Sequence, residues 1–463
     1  MIANLQPYPE YKESGLPWLG RIPAHWREWR LDRLFELRKE APSTEDQRVT
    51  AYLNGRVTLR TNVQGQKIKG VVKEAGWQRV YPGDFAISGM NAHLGGMGVS
   101  DSLGKCSPIY LVLNPKPGTN AHFLSHAVRH IAHMGALKSF VDTIRFNSAD
   151  FKRDSLKLFR VLLPDECEQA GIVRFLDWVS GRIERTVLAK KKLIKLLTEQ
   201  KQAIIHRAVT RGLDPTVSLK PSGIPWLGDI PKHWEIAPLK FLCRRIQNGA
   251  TPPTSEQRYY ENGTVPWFGP SSIGISYELG APVCYLTKAA FSDGKARLIN
   301  GPAILVIVIG ATAGRMNLLV GEGATNQQIT AFELKKDKII PQFGSRQLRS
   351  SENWLKSTAS SATIPILDSA IVNRLPVAFP SLDEQQAILS AISLQTGPLD
   401  AVIARLEREI ELLREYRTRL AADVVTGKLD VREAAKNLPA EAEEPSLEFE
   451  PGEQIEDEVT TDE

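Results

Sequence analysis

Apolar residues recur at helical spacing along two separate stretches of the chain. In the first, Ile172, Leu176, Val179, Ile183, Val187, Ile194, Leu197 and Ile204 form a stripe with polar interruptions. In the second, Leu399, Ile403, Leu406, Ile410, Leu413, Tyr416, Leu420 and Val424 form a cleaner stripe, with charged residues on the outer face. Steps of three and four keep side chains on one side of a helix, so each stretch predicts a long amphipathic helix, and the two stripes can cover each other. Gly181 and Gly397 hold equivalent positions, and Pro398 follows the second, which predicts a kink or break in each helix. Beyond that break, roughly 28 residues at a rise of about 1.5 Å give a rod of about 40 Å, close to one turn of B-DNA.

The pattern changes in the regions before the helices. About 27–163 mixes strand-like runs such as Ile109 to Leu113 with a helical run from Ala121 to His133. About 235–379 carries a buried-strand run from Ala303 to Ile309 and another from Ile329 to Leu334. Both regions read as mixed α/β domains.

Short segments rich in proline and tryptophan precede each domain and disclose a duplication. SGLPWLGRIPAHW, Ser14 to Trp26, returns as SGIPWLGDIPKHW, Ser222 to Trp234, identical at ten of thirteen positions. Pro17, Trp18, Gly20 and Pro23, with Pro225, Trp226, Gly228 and Pro231 in the second copy, cannot form a helix, so the segment predicts an extended strap whose tryptophans need cover. Glu168-Gln169 and Glu384-Gln385 open the helical stretches, and Val209-Thr210 with Leu213-Asp214 and Val425-Thr426 with Leu429-Asp430 close them. The shift between copies is 208 residues at the strap and 216 at both ends of the helical stretch. Helices of one length therefore alternate with domains of different length. A duplicated chain suits a pseudo-twofold arrangement, and antiparallel packing of the helices would set the domains at opposite ends of the rod.

Composition adds two points. At 463 residues the chain exceeds what one core usually supports. The net charge of +5 conceals an asymmetry, because 437–463 holds eleven acidic residues and no basic one, and removing those eleven charges leaves +16 on the rest. The basic body suits nucleic acid, whereas the tail, rich in Glu and Pro, is expected to be disordered and either to aid solubility or to compete with nucleic acid for the basic surface. No uninterrupted apolar run is long enough to span a bilayer, and the start of the chain lacks a signal pattern, which predicts a cytoplasmic protein without membrane contact. Cys106, Cys167, Cys243 and Cys284 are too scattered for a disulfide framework or a zinc site.

A search for catalytic chemistry returns little. Gly98 to Cys106 resembles a phosphate loop but has one residue too many between the glycines and a cysteine where a hydroxyl is needed, so a turn is expected. Asn-Pro-Pro-aromatic and Asp-Pro-Pro-aromatic tetrapeptides of the base-flipping kind are absent. Glu199-Gln-Lys201 and Glu333-Leu-Lys335 imitate nuclease triplets without a well-placed aspartate. His122, His126, His130 and His133 share one helix face, and with no carboxylate in the stripe they read as a solvated or partner-facing surface. Metal ligands are expected to be absent. What remains is binding chemistry: Arg56, Arg60, Lys67, Lys69, Asn91, His93, Arg145 and Asn147 in the first domain, and Ser271, Ser272, Lys295, Arg315, Asn326, Gln327 and Gln328 in the second. Lys and Arg neutralise phosphates, and Arg, Asn and Gln pair with base edges. Because the two sets differ, the domains should read different sequences.

The duplicated PWLG…IP…HW straps, the Pro164…Glu168-Gln169 and Pro380…Glu384-Gln385 helix starts and the two Val-Thr…Leu-Asp ends resemble the specificity (S) subunit of type I restriction-modification systems. The resemblance covers all but the acidic tail. It implies a mixed α+β (α/β) fold with two globular target-recognition domains and two long antiparallel coiled-coil helical regions, related by a pseudo-twofold internal duplication. The implied spans are 1–164 for the first strap and domain, 165–213 for the first spacer, 214–380 for the second strap and domain, 381–435 for the second spacer and 436–463 for the tail. It further implies a non-catalytic, double-stranded DNA-binding subunit in which each domain reads one half of a split site while the rod sets the gap. Two methyltransferase subunits would dock on the repeated helices and two restriction/translocase subunits would complete the assembly. S-adenosylmethionine, ATP and Mg²⁺ would belong to those partners, with no cofactor on this chain. Two other readings stay open from the residues alone: a protein-binding coiled-coil scaffold, and a self-contained DNA-modifying enzyme.

Overall fold

The computed structural model describes residues 5–15, 19–63, 75–135, 137, 144–145, 148–149, 154–274, 277–359 and 365–439. The chain forms two units, Met1–Lys191 with Glu407–Glu463, and Lys192–Leu406. Each unit contains one β-rich domain and a part of both long helices.

Those helices, Glu166–Arg211 with 46 residues and Leu382–Val425 with 44, are continuous. The breaks expected at Gly181 and Gly397-Pro398 do not occur. An interior glycine costs about 1 kcal/mol and an interior proline about 3 kcal/mol. Burial of Ile172, Leu176, Val179, Ile183 and Val187 on one helix, and of Ile388, Ile392, Leu406 and Ile410 on the other, outweighs both. In the first unit Glu184 faces Arg417 at 3.6 Å and Lys190 faces Glu409 at 2.5 Å, an antiparallel register. In the second unit Lys201 pairs with Asp400.

The stripe on the second helix needs one correction. Tyr416 is 47% exposed, outside the seam. The step of four from Leu413 reaches Arg417, which fills that position through its pair with Glu184. By length and composition this helix could also cross a membrane, because residues that interrupt its apolar run, such as Ser390, Gln395 and Thr396, are uncharged. Ile388, Leu389 and Ile392 instead join the core of the second domain.

Both domains share one sheet topology. In the first, the four-stranded order is Phe35–Leu37, Tyr110–Pro115, Phe85–Ser88, Met97–Val99; in the second it is Cys243–Asn248, Ile329–Leu334, Ala303–Ile307, Met316–Leu319, and every pair is antiparallel. The chain enters and leaves each domain through one strand pair, Arg27–Arg30 with Arg160–Leu163 and Glu235–Pro238 with Pro376–Phe379. The helix Ala121–His133 and the strand Ile329–Leu334 fall where the sequence pattern puts them. The strand from Ala303 ends at Ile307, where Gly314 N donates to Ile307 O and closes the hairpin. Of the span Gly98 to Cys106 only 100–103 forms the connecting turn; its ends belong to the strands Met97–Val99 and Gly104–Cys106. From 440 onward the acidic tail lies outside the described residues, as do Pro17 and Trp18 of the first strap.

The straps are two-stranded ribbons, Tyr11–Glu13 with Arg21–Pro23 and Leu219–Pro221 with Asp229–Pro231, and each delivers a tryptophan to a helix start. Trp26 and Trp234 are fully buried, and each meets a phenylalanine of its domain edge-on, Phe123 and Phe343. Their indole N–H groups donate to Glu168 Oε1 at 2.9 Å and Glu384 Oε1 at 3.0 Å, while His25 and His233 contact the other carboxylate oxygens at 2.7 and 2.9 Å. The next residue clamps the domain. Gln169 donates to Pro164 O and accepts from Asn120 N; Gln385 donates to Pro380 O and accepts from Ile340 N. Each long helix ends at a left-handed glycine, Gly212 and Gly427, close beneath a strap tryptophan. At Gly427 a side chain would lie 2.3 Å from Pro23, so only glycine fits.

The first junction carries more contacts. Tyr8 also donates to Glu168 Oε1 at 2.7 Å; burial and then this hydrogen bond hold its hydroxyl protonated far above the ordinary tyrosine range. Glu168 is 3% exposed at its side chain against 32% for Glu384. Glu168→Ala, which leaves buried donors unpaired, is expected to cost about 3 kcal/mol, and Glu384→Ala about 1 kcal/mol because water can replace its carboxylate. Urea denaturation followed by tryptophan fluorescence measures both. Gln347, fully buried, donates to Val209 O and Ala378 O and accepts from Ala378 N, so Gln347→Ala is expected to lower stability by about 3 kcal/mol in the same measurement.

Candidate nucleic-acid interface

Equivalent hairpins bring the polar residues selected from sequence to the same place in each domain. In the first, Phe85–Ser88 turns through 89–96 into Met97–Val99. Asn91 stands before a short 3-10 turn, Ala92–Leu94, which includes His93. Gly95 has φ +90°, and His133 from the domain helix lies against it. In the second, Ala303–Ile307 turns through 308–315 into Met316–Leu319, closed by Ile307 N donating to Arg315 O at 2.9 Å and Gly314 N to Ile307 O at 2.8 Å. Asn91 and His93 therefore correspond in topology to the loop that ends at Arg315. Their chemistry differs.

Asn326, Gln327 and Gln328 lie beside the second hairpin, since Val308 N donates to Gln328 O at 2.8 Å. Asn326 Nδ2 donates to Gln328 Oε1, and Thr251 Oγ1 donates to Gln327 Oε1. Sequence reasoning missed Thr251. A signal was available in three Gly-Ala-Thr triplets, 249–251, 310–312 and 323–325, whose small residues let loops approach closely. A side chain at Gly249 would sit 2.2 Å from Thr325 O.

Other selected residues are scattered. Arg56 lies 3.8 Å from Asp101, and Arg60 Nε donates to Thr50 Oγ1 at 2.8 Å. Lys295 is exposed beyond the helix Lys288–Ser292, and Ser271 is exposed on the turn Pro270–Ser272. Ser272 is a correction: it is 3% exposed and its hydroxyl donates to Ala281 O, so it fastens a turn within the domain. Arg145 belongs to the strand Ile144–Arg145, and Lys67, Lys69 and Asn147 lie outside the described residues.

The histidine stripe turns toward the long helices of its own unit. His126 is 3.8 Å from Asp177, and burial holds His122, His130 and His133 below the ordinary histidine range, so near neutrality they add little positive charge. Among the described residues no group of histidines, cysteines and carboxylates is arranged to hold a metal. Arg129 on the same helix donates to Leu53 O, and burial, then Arg417, lowers its guanidinium to about 10. Glu199 and Lys201 lie on the first long helix; Glu333 is buried between Gln247 and Arg244, fixed as a structural carboxylate. A cavity of about 590 Å³ in the second unit, bordered by Lys201, Tyr277, Arg346 and Asp400, holds none of the selected residues.

Comparison with known proteins agrees with this organisation. The family described as type I restriction modification DNA specificity domain matches residues 231–412. The putative type I restriction enzyme MjaX specificity subunit of Methanocaldococcus jannaschii is 22% identical, over 93% of this chain and all of its own length. The type I restriction enzyme EcoR124I/EcoR124II specificity subunit of Escherichia coli is 23% identical over 58% of this chain and 64% of its own. A solved chain, described under the structural basis underlying complex assembly and conformational transition of the type I R-M system, superposes with a TM-score of 0.57 at 17% identity, covering 88% of this chain and 99% of that one. It shares the fold. Residues 231–412 match the type I restriction modification DNA specificity domain, and the chain as a whole is similar to specificity subunits of type I restriction-modification systems.

Proposed function

We propose that this chain reads a split DNA sequence, with one domain on each half-site and the paired helices setting the gap between them. The observation that carries this is the repeated module: one sheet, one hairpin and one junction occur twice, but the side chains on the two hairpins differ. A shared scaffold with unlike reading edges suits two unlike half-sites. The +16 charge outside the tail supplies the phosphate attraction on which such binding rests. The reading domains would fall within 1–164 and 214–380 and the spacers within 165–213 and 381–435.

Two methyltransferase subunits would dock on the repeated helical surfaces, since equivalent surfaces accept equivalent partners. Methyl transfer from S-adenosylmethionine would occur on those subunits, and ATP- and Mg²⁺-dependent translocation and cleavage on two restriction subunits, in the cytoplasm. This chain would contribute recognition alone.

Single-molecule methylome sequencing of cells with this chain and its methyltransferase partner, beside cells with the methyltransferase alone, tests the reading. A split adenine-methylated motif is expected only when this chain is present; a gapless motif, or none with soluble protein, contradicts it. Inserting one heptad into both helical segments should lengthen the gap and leave both half-sites unchanged. An unchanged gap would show that the helices do not set spacing.

A further inference from the structure

Helices at equivalent places in the two domains carry an arginine at the same position. Asn120 N, just before the helix Ala121–His133, donates to Gln169, and Ile340 N, just before Pro341–Arg349, donates to Gln385. Phe123 and Phe343 then meet Trp26 and Trp234 edge-on. Both matches put Arg129 in register with Arg349 and Ala132 with Glu352. In the second domain the arginine is compensated. Arg349 Nε lies 3.4 Å from Glu352 Oε1, and its guanidinium covers the Tyr277 ring at 4.4 Å.

The first domain lacks that carboxylate. Arg129 Nη2 donates to Leu53 O at 2.9 Å, while its Nε is buried without an acceptor. Among the described residues no carboxylate pairs with it, and the charge that acts on it from the second long helix is Arg417, another cation. Burial, then Arg417, lowers the guanidinium to about 10, so it stays charged near neutrality. A half-buried charge left uncompensated is costly. Its retention fits a cation held in place for an anion from outside the chain.

The surroundings of Arg129 locate that anion. The turn 52–56, closed by Tyr52 N donating to Arg56 O and Gly55 N to Tyr52 O, sets Gly55 against the guanidinium, where a side chain would lie 2.3 Å from Nη1. His133, one helical turn further on, lies against Gly95 of the hairpin 89–96, and a side chain at Gly95 would also stand 3.4 Å from Leu53 O. Arg129 is therefore packed behind the two loops that carry Arg56, Asn91 and His93. Base edges carry no net charge, whereas a phosphate offers a full negative charge and oxygens that match the guanidinium fork. We propose that Arg129 is a phosphate-binding residue of the first domain and holds one phosphate group of the DNA backbone at the edge formed by the loops 52–56 and 89–96. This rests on the reading of the chain as a split-site DNA reader.

The complex of this chain with its methyltransferase subunits tests the assignment, titrated at several salt concentrations against a duplex carrying the split motif that methylome sequencing returns for the wild-type chain. Arg129→Gln should weaken binding roughly tenfold and reduce the slope of log affinity against log salt by about 1, on motif and non-motif DNA alike, with the methylated motif unchanged. Arg129→Lys, which keeps the charge, should retain the slope. Urea denaturation should place Arg129→Gln at or above the wild-type midpoint, since an uncompensated charge is removed. An unchanged slope overturns the proposal, as does an Arg129→Gln chain that fails to fold. A change at one position of the motif, the signature of a base contact, also overturns it, as does loss of methyltransferase from the DNA-free complex, the signature of a partner carboxylate. A wild-type chain that gives no split motif refutes the underlying reading, whereas a split motif with an unchanged slope refutes this assignment alone.

Discussion

A carboxylate at the start of each long helix, buried at Glu168 and half-buried at Glu384, holds the architecture together. Glu168 and Glu384 each take an indole N–H from the strap before the domain and a histidine beside it, and each stands in the first turn of its helix, where the backbone dipole favours negative charge. Asp165 Oδ1 accepts from the backbone N–H of Glu168, and the Ser381 hydroxyl takes that role for Glu384. Strap, domain and helix thus converge on two consecutive side chains, since Gln169 and Gln385 fasten the domain one residue further on. Once that junction is made, the chain between strap and helix can vary in length, and the helix begins from the same anchor.

Recognition requires what the junction leaves free. The hairpins 89–96 and 308–315 arise from equivalent strands of equivalent sheets, yet one carries asparagine and histidine and the other glycine, alanine, threonine and arginine. In the second domain the surrounding loops use small residues to approach closely, which fixes the exposed polar groups at their tips. A rigid edge suits discrimination between bases, because a polar group left without its partner is penalised more heavily than a correct pair is rewarded.

Much of this was legible in sequence because the duplication printed it twice. The strap repeat, the Glu-Gln helix starts and the apolar stripes each predicted an element that exists, and the helix Ala121–His133 was delimited residue for residue. The failures have physical causes. Gly397-Pro398 looked like a break because propensity is local, whereas the packing that keeps the helix continuous is not. Tyr416 looked apolar enough for the seam, but the heptad places Arg417 there, held by a glutamate distant in sequence. Ser272 could not be told from a surface serine until the carbonyl of Ala281 was seen above it. Thr251 escaped notice because only the fold brings it to Gln327, 76 residues away.

The central claim is that two independently specified readers are mounted on one repeated junction. Replacing the second variable region, about 235–379, with that of a type I specificity subunit and sequencing the methylome of the resulting complex tests it most directly. The account predicts a change in one half-site, with the other half and the gap preserved. A change in both halves, or in the gap, would contradict it.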